Sequence, residues 1–223
     1  MPYKHLIITL FLLLTLESLV LSQPIILADY TDASKLYISY KVESKVETFP
    51  FKLVQGNGPL PYNYRIIDKK IHTGGHPLNP KTDFKNDDEQ CLAILNYLKS
   101  KGIKTIIDLE NTSNIQTRYN KLLSQAGLKR IHIPMHALKV PNKYEWKVIK
   151  QAMKQAVYIH CKWGADRTGA IIGRYLVEEN GYSPQEAYLA VLSGGSHAGP
   201  IGGLKTDWQY RNLKDFIGSG GGI

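Results

Sequence analysis

From Tyr64 onward the chain alternates short apolar runs with amphipathic stretches, and this alternation restricts the fold more than any other feature. Arg65 to Ile71 reads as a loose strand, after which His72-Thr-Gly-Gly-His-Pro77 turns the chain. Residues 87–100 place Cys91, Ile94, Leu95 and Leu98 on one helical face, with Gly102 as the stop. Further strands are predicted at 103–109, 128–133 and 156–160, and further helices at 114–125, 144–155 and 167–179. Ser183-Pro184 with Glu186 forms a capping box with proline at the first helical position. The helix it opens ends before Gly194, and a last helix spans 206–217. Strands alternating with helices predict an α/β fold with a central, mostly parallel sheet flanked by helices. In such a sheet the ligand sits beyond the carboxyl ends of the strands.

The region before Tyr64 is less regular. Residues 1–22 combine a basic start, an apolar stretch from Leu6 to Leu14 and small residues at Val20 and Ser22, which is the pattern of a secretory signal peptide. Ala28 is a second cleavage candidate. Glu17 interrupts the apolar run, leaving it short of the ~20 residues a membrane-spanning helix needs. A secreted or periplasmic location is therefore expected. Residues 23–63 are taken as an N-terminal extension, with 37–42 as a strand, followed by the main domain at 64–217 and a Gly-rich tail at 218–223.

Lys and Arg total 28 against 19 Asp and Glu, a formal charge of +9 that favours anionic partners such as phosphorylated molecules or an anionic membrane surface. Nucleic acid is not expected, because the lysines are scattered and no reader motif is present. Two cysteines cannot build a disulfide scaffold, and no Cys/His cluster has zinc spacing.

At the carboxyl end of the 156–160 strand stands His160-Cys-Lys-Trp-Gly-Ala-Asp-Arg-Thr-Gly169, which opens directly onto a helix. Glycines let such a loop curl with its N–H groups inward, and the helix N-terminus adds partial positive charge. A cysteine at the centre of that ring is stabilised as the thiolate and becomes a nucleophile at neutral pH. Arg167 returns to the rim six residues later, where its planar fork can hold two phosphate oxygens.

These residues resemble the signature loop of the cysteine-dependent phosphatase superfamily, in its compact dual-specificity branch. The H-C-x-x-G-x-D-R-T-G form is similar to bacterial secreted tyrosine-phosphatase-like proteins and to some phosphoinositide phosphatases. The Gly74-Gly-His-Pro77 turn and Gly102-Ile-Lys-Thr-Ile-Ile-Asp-Leu109 extend the likeness over about 64–193.

The resemblance implies a dual-specificity-phosphatase-like fold for 64–217 and a reaction in which Cys161 attacks phosphorus to form a phosphocysteine that water hydrolyses. Arg167 and the amides of Lys162, Trp163, Gly164, Ala165, Asp166 and Arg167 would hold the equatorial oxygens. Thr168 would donate to the cysteine sulfur, and His160 would orient the loop. No metal or organic cofactor is implied. The expected substrate is a protein phosphorylated on tyrosine, or on serine, threonine and tyrosine together. The alternatives are a phosphoinositide or inositol phosphate, and phosphate binding without turnover.

One departure matters. Such enzymes usually carry an aspartic acid ~25 to 30 residues before the cysteine to protonate the leaving oxygen. Here Ile133-Pro-Met-His-Ala-Leu-Lys-Val-Pro-Asn142 holds no carboxylate. Asp166 is the first choice for that role, followed by Asp108 and His136. Lys162 and Lys139 are candidate cations for polyanionic substrates, and Trp163 either shapes the pocket mouth or covers the loop. Cys91 reads as a core residue, with a redox pairing to Cys161 as the alternative. His132 and His197 read as structural or surface groups, and 194–203 as either a flap or a linker.

Overall fold

The computed structural model describes residues 41–205 and 210–219, so the signal-peptide segment and positions 37–40 of the expected first strand lie outside the described residues. The compact unit that carries the fold starts at Val42, upstream of the expected boundary at 64. Residues 42–63, about half of the expected extension, are thus part of this unit. They supply strand β1 (Val46–Thr48), which pairs antiparallel with β2 (Arg65–Ile67).

The expected single strand at 65–71 is two strands. β2 turns back through Asp68 and Lys69, both at positive φ (49° and 63°), into β3 (Ile71–Gly74). Two successive left-handed residues make the tight hairpin turn whose twist suits flanking strands. Asp-Lys lacks the glycine that usually marks that turn, so the pattern reads as continuous strand.

The remaining strands are β4 (Thr105–Asp108), β5 (Lys129–His132) and β6 (Val157–His160), in the sheet order β1-β2-β3-β6-β4-β5. The β3–β6, β6–β4 and β4–β5 pairs are parallel, so the sheet is mostly parallel with an antiparallel edge.

Helices α1 (Asp88–Ser100) and α2 (Gln116–Ala126) cover one face, while α3 (Lys143–Ala152), α4 (Asp166–Asn180), α5 (Pro184–Val191) and α6 (Arg211–Gly218) cover the other. Adjacent strand residues point to opposite layers. Ile66, Ile106 and Tyr158 pack with Cys91, Leu95, Tyr119 and Leu122, whereas Ile67, Ile107 and Ile159 pack with Trp146, Ile171, Val191 and Phe216. Reciprocal capping boxes at Asp87/Gln90, Asn142/Glu145 and Ser183/Glu186 start α1, α3 and α5, each contributing about 1 kcal/mol. No helix among the described residues is long and apolar enough to cross a membrane.

Register fixes the site. Gly74 and Asp108 both stand level with His160, so three strands end in one row and the 161–165 loop leaves from its centre.

Candidate active site

The carbonyls of the loop are held from outside. His160 Nδ1 lies 3.4 Å from the Cys161 carbonyl, and the His76 amide donates to the Lys162 carbonyl at 2.9 Å. Asn63 Nδ2 donates to the Trp163 and Gly164 carbonyls at 3.4 and 3.2 Å, and Arg65 Nη1 donates to the Gly164 carbonyl at 3.0 Å. In a trans peptide the N–H points opposite to the preceding C=O. Four carbonyls facing the scaffold therefore turn the amides of Lys162, Trp163, Gly164 and Ala165 toward the inside of the loop. Gly164 makes the curl possible, since its φ is +68° and a Cβ there would lie 2.1 Å from the Gly74 carbonyl carbon. The Gly74-Gly75 turn and Gly164 are thus two halves of one close backbone contact.

Cys161 sits at the start of this ring and is 2% exposed. Below it, the Tyr119 hydroxyl lies 3.0 Å from His160 Nε2, which leaves Nδ1 as the protonated nitrogen facing the Cys161 carbonyl. Burial holds the His160 imidazole below its ordinary pKa despite the opposing pull of Asp108, so the ring is neutral at pH 7.

Arg167 closes the ring. Its Nη1 donates to the carbonyls of Leu109 and Met135, both at 3.1 Å, and its Nη2 pairs with Glu110 Oε2 at 2.9 Å. Burial opposes charge on the guanidinium, but Cys161 and Glu110 outweigh it and raise its pKa. Glu110 is 1% exposed, and its other oxygen accepts from the amides of Asn111 and Thr112 at 3.0 Å each. Sequence reasoning missed this residue. Its only signal was a second acid in Asp108-Leu-Glu110, placed just past a strand end.

Asp108 cannot be the leaving-group acid. It is fully buried, and its Oδ2 takes both Arg130 Nε at 3.0 Å and Nη2 at 2.5 Å. Burial pushes its carboxyl up, but His160, His76 and Arg130 more than cancel this and hold it below the usual carboxylate range. His76, Asp108 and His160 bring potential metal-ligating atoms within 4.8 Å of one another. With Arg130 already neutralising Asp108, that trio reads as a compensated support beneath the loop and not as a cation site.

Thr168 also departs from expectation. Its hydroxyl is buried and has no hydrogen-bond partner, so it does not donate to the Cys161 sulfur in this conformation. Lys162 turns away from the ring, pairing with Asp83 at 3.0 Å and lying over the Phe84 ring at 4.9 Å. Lys139 lies 3.9 Å from Glu145. Trp163 is 37% exposed and stands edge-on to Tyr62, with ring centroids 5.6 Å apart.

Asp166 begins α4 half-buried, its Oδ1 accepting from the Leu204 amide at 2.8 Å. His136 is exposed and follows Met135, whose carbonyl touches Arg167. Both candidates therefore stand on segments that border the ring. Cys91 belongs to the core layer across the sheet from the one that holds Cys161, and burial pushes its thiol up to about 12, which excludes the redox pairing. His132 Nε2 lies 2.8 Å from the Glu110 carbonyl, supporting that segment. His197 is buried against Ser44 and Ser196. The 194–203 stretch is tied down by Arg65, which donates to the His197 carbonyl at 2.7 Å, and so is no free flap.

The family model described as "Polymorphic toxin system, DSP-PTPase phosphatase" matches residues 88–181, a span that contains the whole β6–loop–α4 unit. The mouse phosphatidylglycerophosphatase and protein-tyrosine phosphatase 1 is 40% identical over 47 residues, which are 21% of this chain and 24% of that protein. Its human counterpart is 39% identical over 41 residues, 18% and 20% of the two chains. The chain thus spans about a quarter of the length of the curated relatives it matches. Among solved structures, TpbA of P. aeruginosa aligns with 19% identity and a TM-score of 0.48 over 70% of this chain and 83% of that one. PTPMT1 aligns with 24% identity and a TM-score of 0.44 over 67% and 90%. The family match thus places the β6–loop–α4 unit within a stretch similar to DSP-PTPase phosphatases.

Proposed function

We propose that the protein is a phosphomonoester hydrolase in which Cys161 attacks phosphorus and carries the phosphoryl group as a phosphocysteine. The observation that carries this reading is the row of outward carbonyls from Cys161 to Gly164, which aims the intervening amides at one point beside the sulfur. Three equatorial oxygens of a trigonal phosphoryl group would meet these amides and the Arg167 fork, where charge is greatest in the transition state. Arg167 is already oriented by Glu110, Leu109 and Met135, so little ordering remains to be done on binding.

The leaving oxygen then takes its proton from Asp166, whose carboxyl is oriented by the Leu204 amide. His136, on the neighbouring segment, is the second donor.

The favoured substrate is a phosphorylated protein, foremost phosphotyrosine. A buried sulfur asks for a long, flat ester, and the Trp163–Tyr62 edge contact offers an aromatic flank. A phosphoinositide is the second reading. It is favoured by the charge of +9 and by the name of the mouse relative, which couples a phospholipid activity with a tyrosine phosphatase activity.

The test is a substrate panel of an aryl phosphate, a phosphotyrosine peptide and a phosphoinositide, run in reductant. Release from the peptide above the lipid is expected. The reverse order would make the lipid the substrate class, and release from none would reduce the site to phosphate binding. Asp166→Asn should slow esters with poor leaving groups about 10²-fold or more while sparing good ones. Equal slowing of both would move the acid to His136.

A further inference from the structure

Arg65 is 0% exposed at the middle of the sheet's antiparallel edge, on β2. Its hydrogen bonds all go to backbone carbonyls: Nε to His197 at 2.7 Å, and Nη1 to Asn63 at 3.1 Å and Gly164 at 3.0 Å. Its Nη2 is buried with no partner. Among the described residues, no carboxylate lies within salt-bridge distance of it. The other wholly buried arginine, Arg174, shows the contrast, since it pairs with Glu178 at 2.5 Å. A buried cation without an anion is expensive, and proteins rarely keep one. Burial pushes the Arg65 guanidinium down to about 10 while Cys161 and Tyr158 pull it up, so it stays charged at neutral pH.

The anion it serves is the one the reaction needs. Given the cysteine-dependent reading above, we propose that Arg65 is a positioning residue of the site. It locks the Gly164 carbonyl away from the phosphate position and supplies a fixed positive charge that stabilises the Cys161 thiolate.

Six other titratable or charged groups stand in or beside the loop. They are Arg167 from α4, Tyr158 and His160 from β6, Asp108 from β4, Glu110 just beyond it, and Lys162, which turns outward to Asp83. Arg167 faces the substrate, so its charge is shared with the phosphate once an ester binds. Arg65 is bonded to the opposite side of the loop and makes no such exchange. Its place in the fold explains a design in which the two guanidiniums divide the tasks, one for the phosphate and one for the sulfur.

The experiment compares the full chain with Arg65→Met and Arg65→Lys. The pH dependence of Cys161 alkylation by iodoacetamide, read by mass spectrometry at that residue, gives the thiol titration without requiring turnover. Arg65→Met removes the charge but keeps an apolar stem, and the titration midpoint should rise by about one pH unit, a roughly tenfold loss of thiolate below it. Arg65→Lys keeps the charge but loses the fork, so the midpoint should stay near wild type while KM for an aryl phosphate rises about tenfold.

A folded Arg65→Met protein, native by circular dichroism and melting, whose cysteine titrates as in wild type would overturn the inference. Should Arg65→Met fail to fold, Arg65→Lys decides. A raised KM with a native titration supports the proposal, and wild-type KM and titration together overturn it. A shifted titration in a protein that hydrolyses no ester would leave Arg65's part intact and sink the phosphatase reading instead.

Discussion

Glu110 and Asp108 are two residues apart, both almost wholly buried, and do different work. Asp108 is consumed by Arg130 and takes the Glu110 amide at 2.7 Å, which fixes the direction in which the chain leaves β4. Glu110 then meets Arg167, so the rim guanidinium is aimed by a carboxylate that is itself aimed by its neighbours. Replacing Glu110 by Gln keeps the shape and one acceptor but loses the charge that orients the fork. Turnover of an aryl phosphate should fall roughly 10- to 100-fold, mostly as a rise in KM, because a misplaced fork costs about that much. Wild-type kcat/KM in that variant would mean the Leu109 and Met135 carbonyls alone suffice to hold Arg167.

The residues to which the proposed chemistry is assigned are legible in the sequence because such a loop is local. A cysteine, two glycines, an arginine and the helix they open lie within ten positions. The residues that hold the loop were not legible, because Asn63, Arg65 and Glu110 reach it across the sheet, from 50 to 100 positions away. Arg65 stood in an apolar strand pattern, where an arginine usually reads as an outward-facing group. Thr168 shows the converse. Its motif position implied a bond to sulfur, yet its hydroxyl is buried without a partner.

Elements were readable where periodicity and caps agreed. The expected helix at 87–100 is Asp88–Ser100, with Asp87 and Gln90 closing its first turn. The helix at 167–179 is Asp166–Asn180, ended by Gly181 in the left-handed conformation. The expected strand ends shrank by one or two residues, since only the part that pairs in the ladder counts as strand. The hairpin between β2 and β3 was missed, and with it the antiparallel edge, because Asp68 and Lys69 take positive φ without glycine. Asp68 explains their tolerance: its carboxylate accepts from Ser44 Oγ, the Lys45 amide and Tyr175 Oη, so tertiary bonds hold the turn that local sequence does not favour.

For the whole molecule, the histidines beneath the loop and around it make stability depend on pH. Burial pushes His72 and His197 down to about 4, holds His76 well below its ordinary value, and lowers His160 as well. In the unfolded chain the same imidazoles titrate near 6.5. Between about 6.5 and 4 the unfolded chain therefore binds more protons than the native one, so native stability is complete above that window and is lost as pH falls through it. The thermal midpoint should be roughly 5 to 10 °C lower at pH 5 than at pH 7.5. A flat midpoint across that range would show these imidazoles to be solvated in the native state.

Fold, loop and charge converge on one sulfur. Rapid quenching of the protein during turnover of a ³²P-labelled aryl phosphate, followed by peptide mapping, tests this directly. The label should be carried by the peptide containing Cys161 as an acid-stable thiophosphate, and it should be absent from Cys161→Ser protein that still binds the ester. Undiminished hydrolysis by Cys161→Ser, or label on any other residue, would contradict the account.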